Sequence, residues 1–333
     1  EERGLVDFIF ACWRAFRMLL LTLLALIVLL LSAVSFVCYQ ILKDREGDYI
    51  HESYSFVDPR SNETRPFESI SDAPSKYLSV VIPAYNEEER ISVMLDETIA
   101  YLQGRQQVDP DFTWEMVIVD DGSRDNTVQL VQQQYVTKFG VDLIRVNKLK
   151  KNVGKGGAVR RGVLVSRGKY ILMADADGAT RFSDFIKLET CMHNIEKNDM
   201  GVVVGSRAQY HDNVDSDAER RPWYRNISHI VFALLVDNLC VKGVKDTQCG
   251  FKLFSREAAL ELFLSLHIER WAFDVEVLYV AQRKKMPIGE EIVHWEEIDG
   301  SHLSVIGASL QMFKDILRVP LLYRLGYWKF FRN

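Results

Sequence analysis

From Tyr77 onward the chain alternates short apolar runs with helical patterns, and the early apolar runs end in loops of unusual chemistry. Residues 77–83 read as a strand, 91–102 as a helix, 114–119 as a second strand and 127–139 as a helix. The series continues with a strand at 143–146, a helix at 158–166, and strands at 169–174 and 201–205. Near-continuous apolar strands joined by helices predict a parallel sheet covered on both faces. Ligands then bind where the carboxyl ends of the strands release their loops. The expected fold class is α/β, a mostly parallel, Rossmann-like sheet flanked by helices.

The first strand releases Pro83-Ala84-Tyr85-Asn86-Glu87 and the second Asp120-Asp121-Gly122-Ser123-Arg124-Asp125-Asn126-Thr127. The third is followed by Asn152-Val153-Gly154-Lys155-Gly156-Gly157, the fourth by Asp175-Ala176-Asp177. A parallel sheet gathers these four loops on one edge. Aspartate is disfavoured in strands and rarely buried without a partner, so two carboxylates one residue apart at a strand end are costly. Hard oxygen ligands of this kind suit Mg²⁺ or Mn²⁺ holding a phosphorylated substrate, although a strand-end turn or a helix cap also uses Asp and Gly. Tyr85 can stack on a base or pack in the core. Asp120 or Asp121 can accept from a base N–H or a ribose hydroxyl, with one of the two expected to cap the helix that follows. Gly154, Gly156 and Gly157 let backbone approach a ligand, and Lys155 brings a point charge. Neither the P-loop nor the dinucleotide fingerprint is present. Together the loops offer what a nucleoside diphosphate on a divalent cation needs.

Composition narrows the class. The 333 residues carry a net charge of −5 with no long basic block, which argues against a nucleic-acid binder. The five cysteines, Cys12, Cys38, Cys191, Cys240 and Cys249, have no CxxC spacing, so neither a disulfide framework nor a zinc site is expected. Residues 18–42 contain no charge. As a helix rising about 1.5 Å per residue they would cover the hydrocarbon core of a bilayer, predicting a transmembrane anchor after a short flank at 1–17. Flanking cations tie: Arg3, Arg14 and Arg17 precede the span, and Lys43, Arg45 and Arg60 follow it. Residues 43–76, polar and aperiodic, read as a linker. A catalytic domain at 77–300 and an amphipathic, membrane-interface segment at 301–333 complete the predicted organisation.

The series PxYNE, DDGSxDxT, NxGKG and DAD resembles the inverting GT-A glycosyltransferases of the family that contains the dolichyl-phosphate sugar synthases. Gly205-Ser206-Arg207, Asp246-Thr247-Gln248-Cys249-Gly250-Phe251-Lys252 and Arg270-Trp271-Ala272-Phe273-Asp274-Val275-Glu276 are most similar to its glucose-transferring members. The resemblance covers roughly 77–330. It implies a GT-A fold and transfer of glucose from UDP-glucose to dolichyl phosphate with inversion, on the cytosolic face of the endoplasmic reticulum membrane, for lipid-linked oligosaccharide assembly. It implies a metal held mainly by Asp177 with Asp175 in support, and nucleotide contacts from Pro83, Tyr85, Glu87, Asp120 and Asp121. Lys155 would face the pyrophosphate, and Arg207 and Arg225 the acceptor phosphate. Asp274 and Glu276 stand where relatives acting on hydroxyl acceptors place a base. An anionic phosphate acceptor needs none, so Asp274 is the weaker catalytic candidate and a pocket-shaping or backbone-bonding role is expected for both. Two departures stand out: Ala179 where mannosyl relatives have a glutamine ligand, and His302 where the family pattern has lysine.

A polyprenyl acceptor demands a membrane-facing site. Residues 227–239 are apolar on nearly every turn, following Trp223, Tyr224 and Arg225. Residues 305–331 mix Leu310, Phe313, Leu321, Tyr327 and Trp328 with Lys314, Arg318, Arg324 and Lys329. Such mixtures suit interfacial helices, and equally amphipathic helices packed on a sheet. The competing functions are mannosyl transfer from GDP-mannose, transfer to another lipid-linked sugar, and an inactive nucleotide-binding membrane scaffold.

Overall fold

The computed structural model describes residues 54–207, 235–298 and 305–331 (305–310 as backbone) together with scattered positions between 13 and 35. The chain divides into two units, 1–48 and 49–333. In the first, every described residue is helical and exposed, Leu21, Leu24 and Leu29 among them. Among the described residues no helix is long and apolar enough to cross a membrane. Much of the anchor expected at 18–42 lies outside them.

The second unit is built on strands β3 (Lys76–Ala84), β4 (Trp114–Asp120), β5 (Ile144–Lys148), β6 (Gly168–Ala174), β7 (Val202–Ser206), β8 (Phe251–Ser255) and β9 (Ile288–Ile292). Their order is β5-β4-β3-β6-β8-β7-β9. β3 lies parallel between β4 and β6, β4 pairs parallel with β5, and β7 pairs parallel with β9. β8 runs antiparallel between β6 and β7. The carboxyl ends of β3, β4, β5, β6, β7 and β9 therefore share one edge with the amino end of β8. The predicted strands are present at these places, every boundary within two residues of the expected one, and the fold is α/β of the GT-A kind.

Alternation along β3 sets the layers. Leu78, Val80 and Ile82 enter a core with Leu95 and Ile99 of helix α1 (Ile91–Val108) and Phe185 and Leu188 of a later helix. Val81 faces the opposite way, where an added Cβ at Gly162 would come within 2.4 Å of it. Helix α2 (Thr127–Leu130) continues through a π turn at Val131–Val136. It is followed by α3 (Lys155–Leu164), α4 (Phe185–Ile195), α5 (Arg256–Leu264), α6 (Phe273–Arg283) and α7 (Val305–Arg324).

Two predicted boundaries change. Within 43–76, expected to be a linker, β1 (Ser55–Asp58) and β2 (Glu63–Pro66) form a hairpin that closes over the amino edge of the sheet. The reason is Arg145 on β5, only 1% exposed, which needs cover and counter-charge. Phe56 and Phe67 place their rings 5.6 and 4.8 Å from its guanidinium, while Glu68 and Glu115 pair with it. Within the predicted interfacial segment at 301–333, residues 311–331 are packed on one side against the domain. Ile316, Val319 and Leu322 of α7 are buried, as are Asp315 and Arg318, which pair at 3.2 Å. The outer side still shows Phe313, Leu321, Leu325 and Tyr327.

Candidate active site

At the shared edge, Lys155 opens α3 and Asp175 closes β6, and Nζ of the lysine lies 2.6 Å from Oδ1 of the aspartate. Burial works against the Lys155 charge, yet Asp175 and then Asp274 outweigh it and hold the ammonium above its ordinary range. Asp175 lies flat across Gly250 at the start of β8. Its N–H donates to the Gly250 carbonyl at 3.2 Å, and a Cβ added to Gly250 would stand 1.9 Å from Oδ2. A glycine is therefore required there by the carboxylate itself.

Asp177 sits two residues on, accepting from the Ala179 N–H at 3.0 Å through Oδ1. Burial, and then the Asp175 charge, push its carboxyl above the usual aspartate range. A bound cation would relieve both effects. Two carboxylates supply only two ligands, and among the described residues no group of three or more His, Cys, Asp or Glu is arranged to hold a metal. That set fits Mg²⁺ or Mn²⁺, ions that complete their shells with water and substrate phosphate oxygens. Ala179 contributes its N–H to the turn, not a ligand.

The acidic loops divide in a way the sequence left open. Asp121 is turned inward, accepting from the N–H groups of Val153 and Gly154 at 2.7 and 2.8 Å, so it shapes the glycine turn. Asp120 is fully buried at the end of β4. Oδ1 accepts from Ser123 N–H at 3.2 Å, while Oδ2 has no partner. An orphaned buried carboxylate oxygen is costly, and of the pair it is Asp120 that still lacks a donor. The start of α2 is served by neither. Asp125 accepts from Thr127 N–H at 3.1 Å and from its hydroxyl at 2.6 Å. Pro83 and Tyr85 are partly exposed at the end of β3. Glu87 is clamped by Arg90, whose Nε and Nη2 donate to its two oxygens at 2.9 Å. Burial raises the Glu87 carboxyl, and Arg90 opposes the rise.

The glycines after Asn152 make room for the protein itself. An added Cβ at Gly156 would meet Phe273 Cβ at 2.5 Å and the Ile268 carbonyl at 2.7 Å, so the close approach is to the protein's own 268–273 segment.

Arg207, just past β7, is bound by Asp246: Nε donates at 2.7 Å, Nη2 at 2.8 Å and the backbone N–H at 3.0 Å. The guanidinium also lies 5.5 Å from the Trp295 ring centre. Asp274 does not open onto the edge. It is 4% exposed and accepts from Lys252 at 2.7 Å, and burial pushes its carboxyl up against the pull of Lys252 and Lys155. Glu276 is fully buried and accepts from the backbone N–H groups of His267 and Ile268, as its expected backbone-bonding role requires. Arg225 and His302 lie outside the described residues, as do 227–234. Sequence reading missed Arg90, Asp246 and Lys252 as partners. Each is one half of an ion pair whose other half it had singled out.

The family profile described as Glycosyl transferase family 2 matches residues 79–263. A dolichyl-phosphate beta-glucosyltransferase of Dictyostelium discoideum is 50% identical over 294 residues, covering 87% of this chain and 89% of its own. The Homo sapiens protein of the same name is 48% identical, covering 90% and 92%, and that of Saccharomyces cerevisiae 42% identical, covering 81% and 80%. Among solved structures, glucosyl-3-phosphoglycerate synthase from Mycobacterium tuberculosis in complex with uridine diphosphate superposes with a TM-score of 0.53 at 18% identity. It covers 76% of this chain and 81% of its own. The same enzyme with Mn²⁺, UDP-glucose and phosphoglyceric acid gives 0.52 at 17% identity, covering 79% and 85%. At such identity these structures bear on the fold alone.

Proposed function

We propose that the chain, which belongs to glycosyl transferase family 2, moves glucose from UDP-glucose to dolichyl phosphate with inversion, giving dolichyl β-D-glucosyl phosphate for lipid-linked oligosaccharide assembly. The observation that carries this reading is the 50% identity to a relative of that name over most of both chains. The paired Lys155 and Asp175 at the strand ends support it, because a nucleoside diphosphate leaving group needs positive charge there.

Asp177, with Asp175 beside it, would hold Mg²⁺ or Mn²⁺, which when bound offsets charge on the donor's phosphates. Lys155 places its ammonium against the leaving pyrophosphate, and its ion pair with Asp175 fixes the direction of approach. Tyr85 and the free Oδ2 of Asp120 recognise the uridine end. Glu87, held by Arg90, borders the same pocket. Arg207 and Arg225 grip the acceptor phosphate. Asp246 occupies Nε and Nη2 of Arg207 and so locks its planar fork, leaving Nη1 outside that pair for an anion. The attacking phosphate oxygen is already ionised near neutral pH, so orientation suffices and no base is required. Asp274 is assigned support of Lys252 and Lys155 instead of proton transfer.

We place the anchor at 18–42 in the endoplasmic reticulum membrane with the catalytic unit facing the cytosol, and the outer side of α7 against the lipid interface. The test is a donor comparison on the full chain in detergent with dolichyl phosphate and either Mg²⁺ or Mn²⁺. Glucosyl lipid formed from UDP-glucose, with none from GDP-mannose, is the expected result. Mannosyl lipid would overturn the reading.

A further inference from the structure

The segment from Ser265 to Arg270 is held from three directions. From α3, Arg160 donates to the Leu266 carbonyl at 2.7 Å, Gly157 N–H donates to the Glu269 carbonyl at 2.8 Å, and Arg161 reaches the Glu269 carboxylate at 3.3 Å. From α6, Glu276 accepts from His267 N–H at 2.9 and 3.0 Å, from Ile268 N–H at 2.7 Å, and lies 2.9 Å from Nδ1 of His267. From the C-terminal segment, the Tyr323 hydroxyl meets Glu276 at 3.0 Å and the Ser265 carbonyl at 2.7 Å. Phe331 N–H donates to the Ser265 hydroxyl at 2.9 Å. Trp328 stacks on His267, ring centres 4.5 Å apart and planes within 3°.

This strap presses on the turn that carries Lys155. Gly154 and Gly156, which flank that lysine, have no room for a Cβ because the carbonyls of Glu269 and Ile268 stand 2.7 Å from where each would lie. Packed groups of this kind have discrete arrangements, so a shift of the strap displaces the lysine rather than dissipating. Glu276 has no exposed surface, and four groups of the protein itself, His267 N–H and Nδ1, Ile268 N–H and the Tyr323 hydroxyl, lie within hydrogen-bond distance of its carboxylate. Tyr323 and Trp328, more than 150 residues along the chain from Lys155, contribute nothing to the strand-end edge directly.

We infer that Glu276, His267, Tyr323 and Trp328 form a positioning clamp, by which the C-terminal segment holds the 265–270 strap on the glycine turn and so sets Lys155 against Asp175 and the donor's pyrophosphate. The inference rests on the proposed nucleotide site. Its substance is that the C-terminal segment acts on the donor side of the reaction, in addition to any contact with lipid.

The experiment uses Tyr323→Phe, which keeps the ring and removes only the hydroxyl, with Trp328→Phe as a second variant on the other arm of the clamp. Affinities for UDP and for uridine are measured by titration of the full chain in detergent with Mg²⁺. The loss of one such hydrogen bond predicts UDP binding roughly three- to ten-fold weaker, with uridine affinity unchanged. In a Lys155→Met background the same substitution changes UDP affinity no further, because the clamp acts through that lysine. Unchanged UDP affinity in both variants, an equal loss for uridine, or full additivity with Lys155→Met would each overturn the inference. If the parent chain binds UDP but transfers no glucose, the functional reading fails while the clamp is still judged by these affinities.

Discussion

Gly250 and Asp246 show how single positions set the charge geometry of the edge. At Gly250 an alanine methyl has no place, because its Cβ would stand 1.9 Å from Oδ2 of Asp175. The carboxylate must rotate away and take its ion pair with Lys155 along. A displacement of that size in a group proposed to position substrate predicts a loss of about a hundred-fold in kcat for Gly250→Ala, read by glucosyl-lipid synthesis at saturating donor. Thermal unfolding should move little, since Gly250 lies at a strand end. Asp246 makes a different prediction. Burial pushes its carboxyl up, but the hydrogen bonds and charge of Arg207 outweigh burial and hold it below the ordinary 3.8. A carboxylate held down in this way stabilises the fold above its unfolded-state value and loses that contribution as pH falls through its folded one. Asp246→Asn should therefore cost about 2 kcal/mol from neutral pH down to about pH 4, less than the usual cost of a broken buried pair because Asn keeps one acceptor. Below about pH 4 the gap to the parent should close. Urea midpoints of the two proteins between pH 7 and 3 provide the check, and a gap that widens in acid would contradict the pairing.

Elements differ in how openly the sequence declares them, and the difference is physical. β3, β4 and β6 are apolar on both faces because helices cover both, so their periodicity is plain, as are the loops they release. β8 is equally buried but carries Lys252, whose charge reads as exposure until Asp274 is placed beside it, and that pairing spans the sheet and α6. β9 holds Glu290 and Glu291 on a half-exposed edge strand and has no alternation to find. The same limit governs the site. Asp175, Asp177 and Lys155 could be picked out as candidates from position, but which of Asp120 and Asp121 keeps an unpartnered oxygen depended on a loop 32 residues away, because Asp121 accepts from Val153 and Gly154. The hairpin of β1 and β2 was hidden for a third reason: its strands are short and largely polar, and only Phe56 and Phe67 over Arg145 give it a purpose. That purpose is testable. Phe56→Ala should lower the unfolding free energy by about 3 kcal/mol through lost packing and an uncovered cation. Because the hairpin closes the amino edge, opposite the loops, kcat at low temperature should be unchanged. A denaturant series with parallel rate measurements separates the two effects.

At the scale of the whole molecule, the proposed cytosol-facing topology can be tested, and the hairpin supplies a reporter for it. Asn62-Glu63-Thr64 is an N-glycosylation pattern that begins on the turn between β1 and β2 and runs into β2. Asn62 takes a left-handed conformation, φ 58°, and its N–H donates to the Asp58 carbonyl at 2.7 Å, a tight exposed turn. Every residue of β2 is exposed, Thr64 included. Neither burial nor a covering element would shield this asparagine, so whether it carries a glycan depends on exposure to the lumenal machinery. Flanking cations could not decide orientation, with three arginines before residues 18–42 and three cations soon after. A UDP-sugar donor and a cytosol-facing unit predict that Asn62 is unmodified in cells. Glycosidase treatment of the full chain should leave its gel mobility unchanged. An engineered acceptor pattern placed before residue 18 should be glycosylated, because the proposed single span would put the two flanks on opposite sides. A glycosidase-sensitive shift that Asn62→Gln abolishes would invert the topology. It would also require the nucleotide edge proposed at Asp120, Lys155 and Asp177 to draw its donor from the lumen.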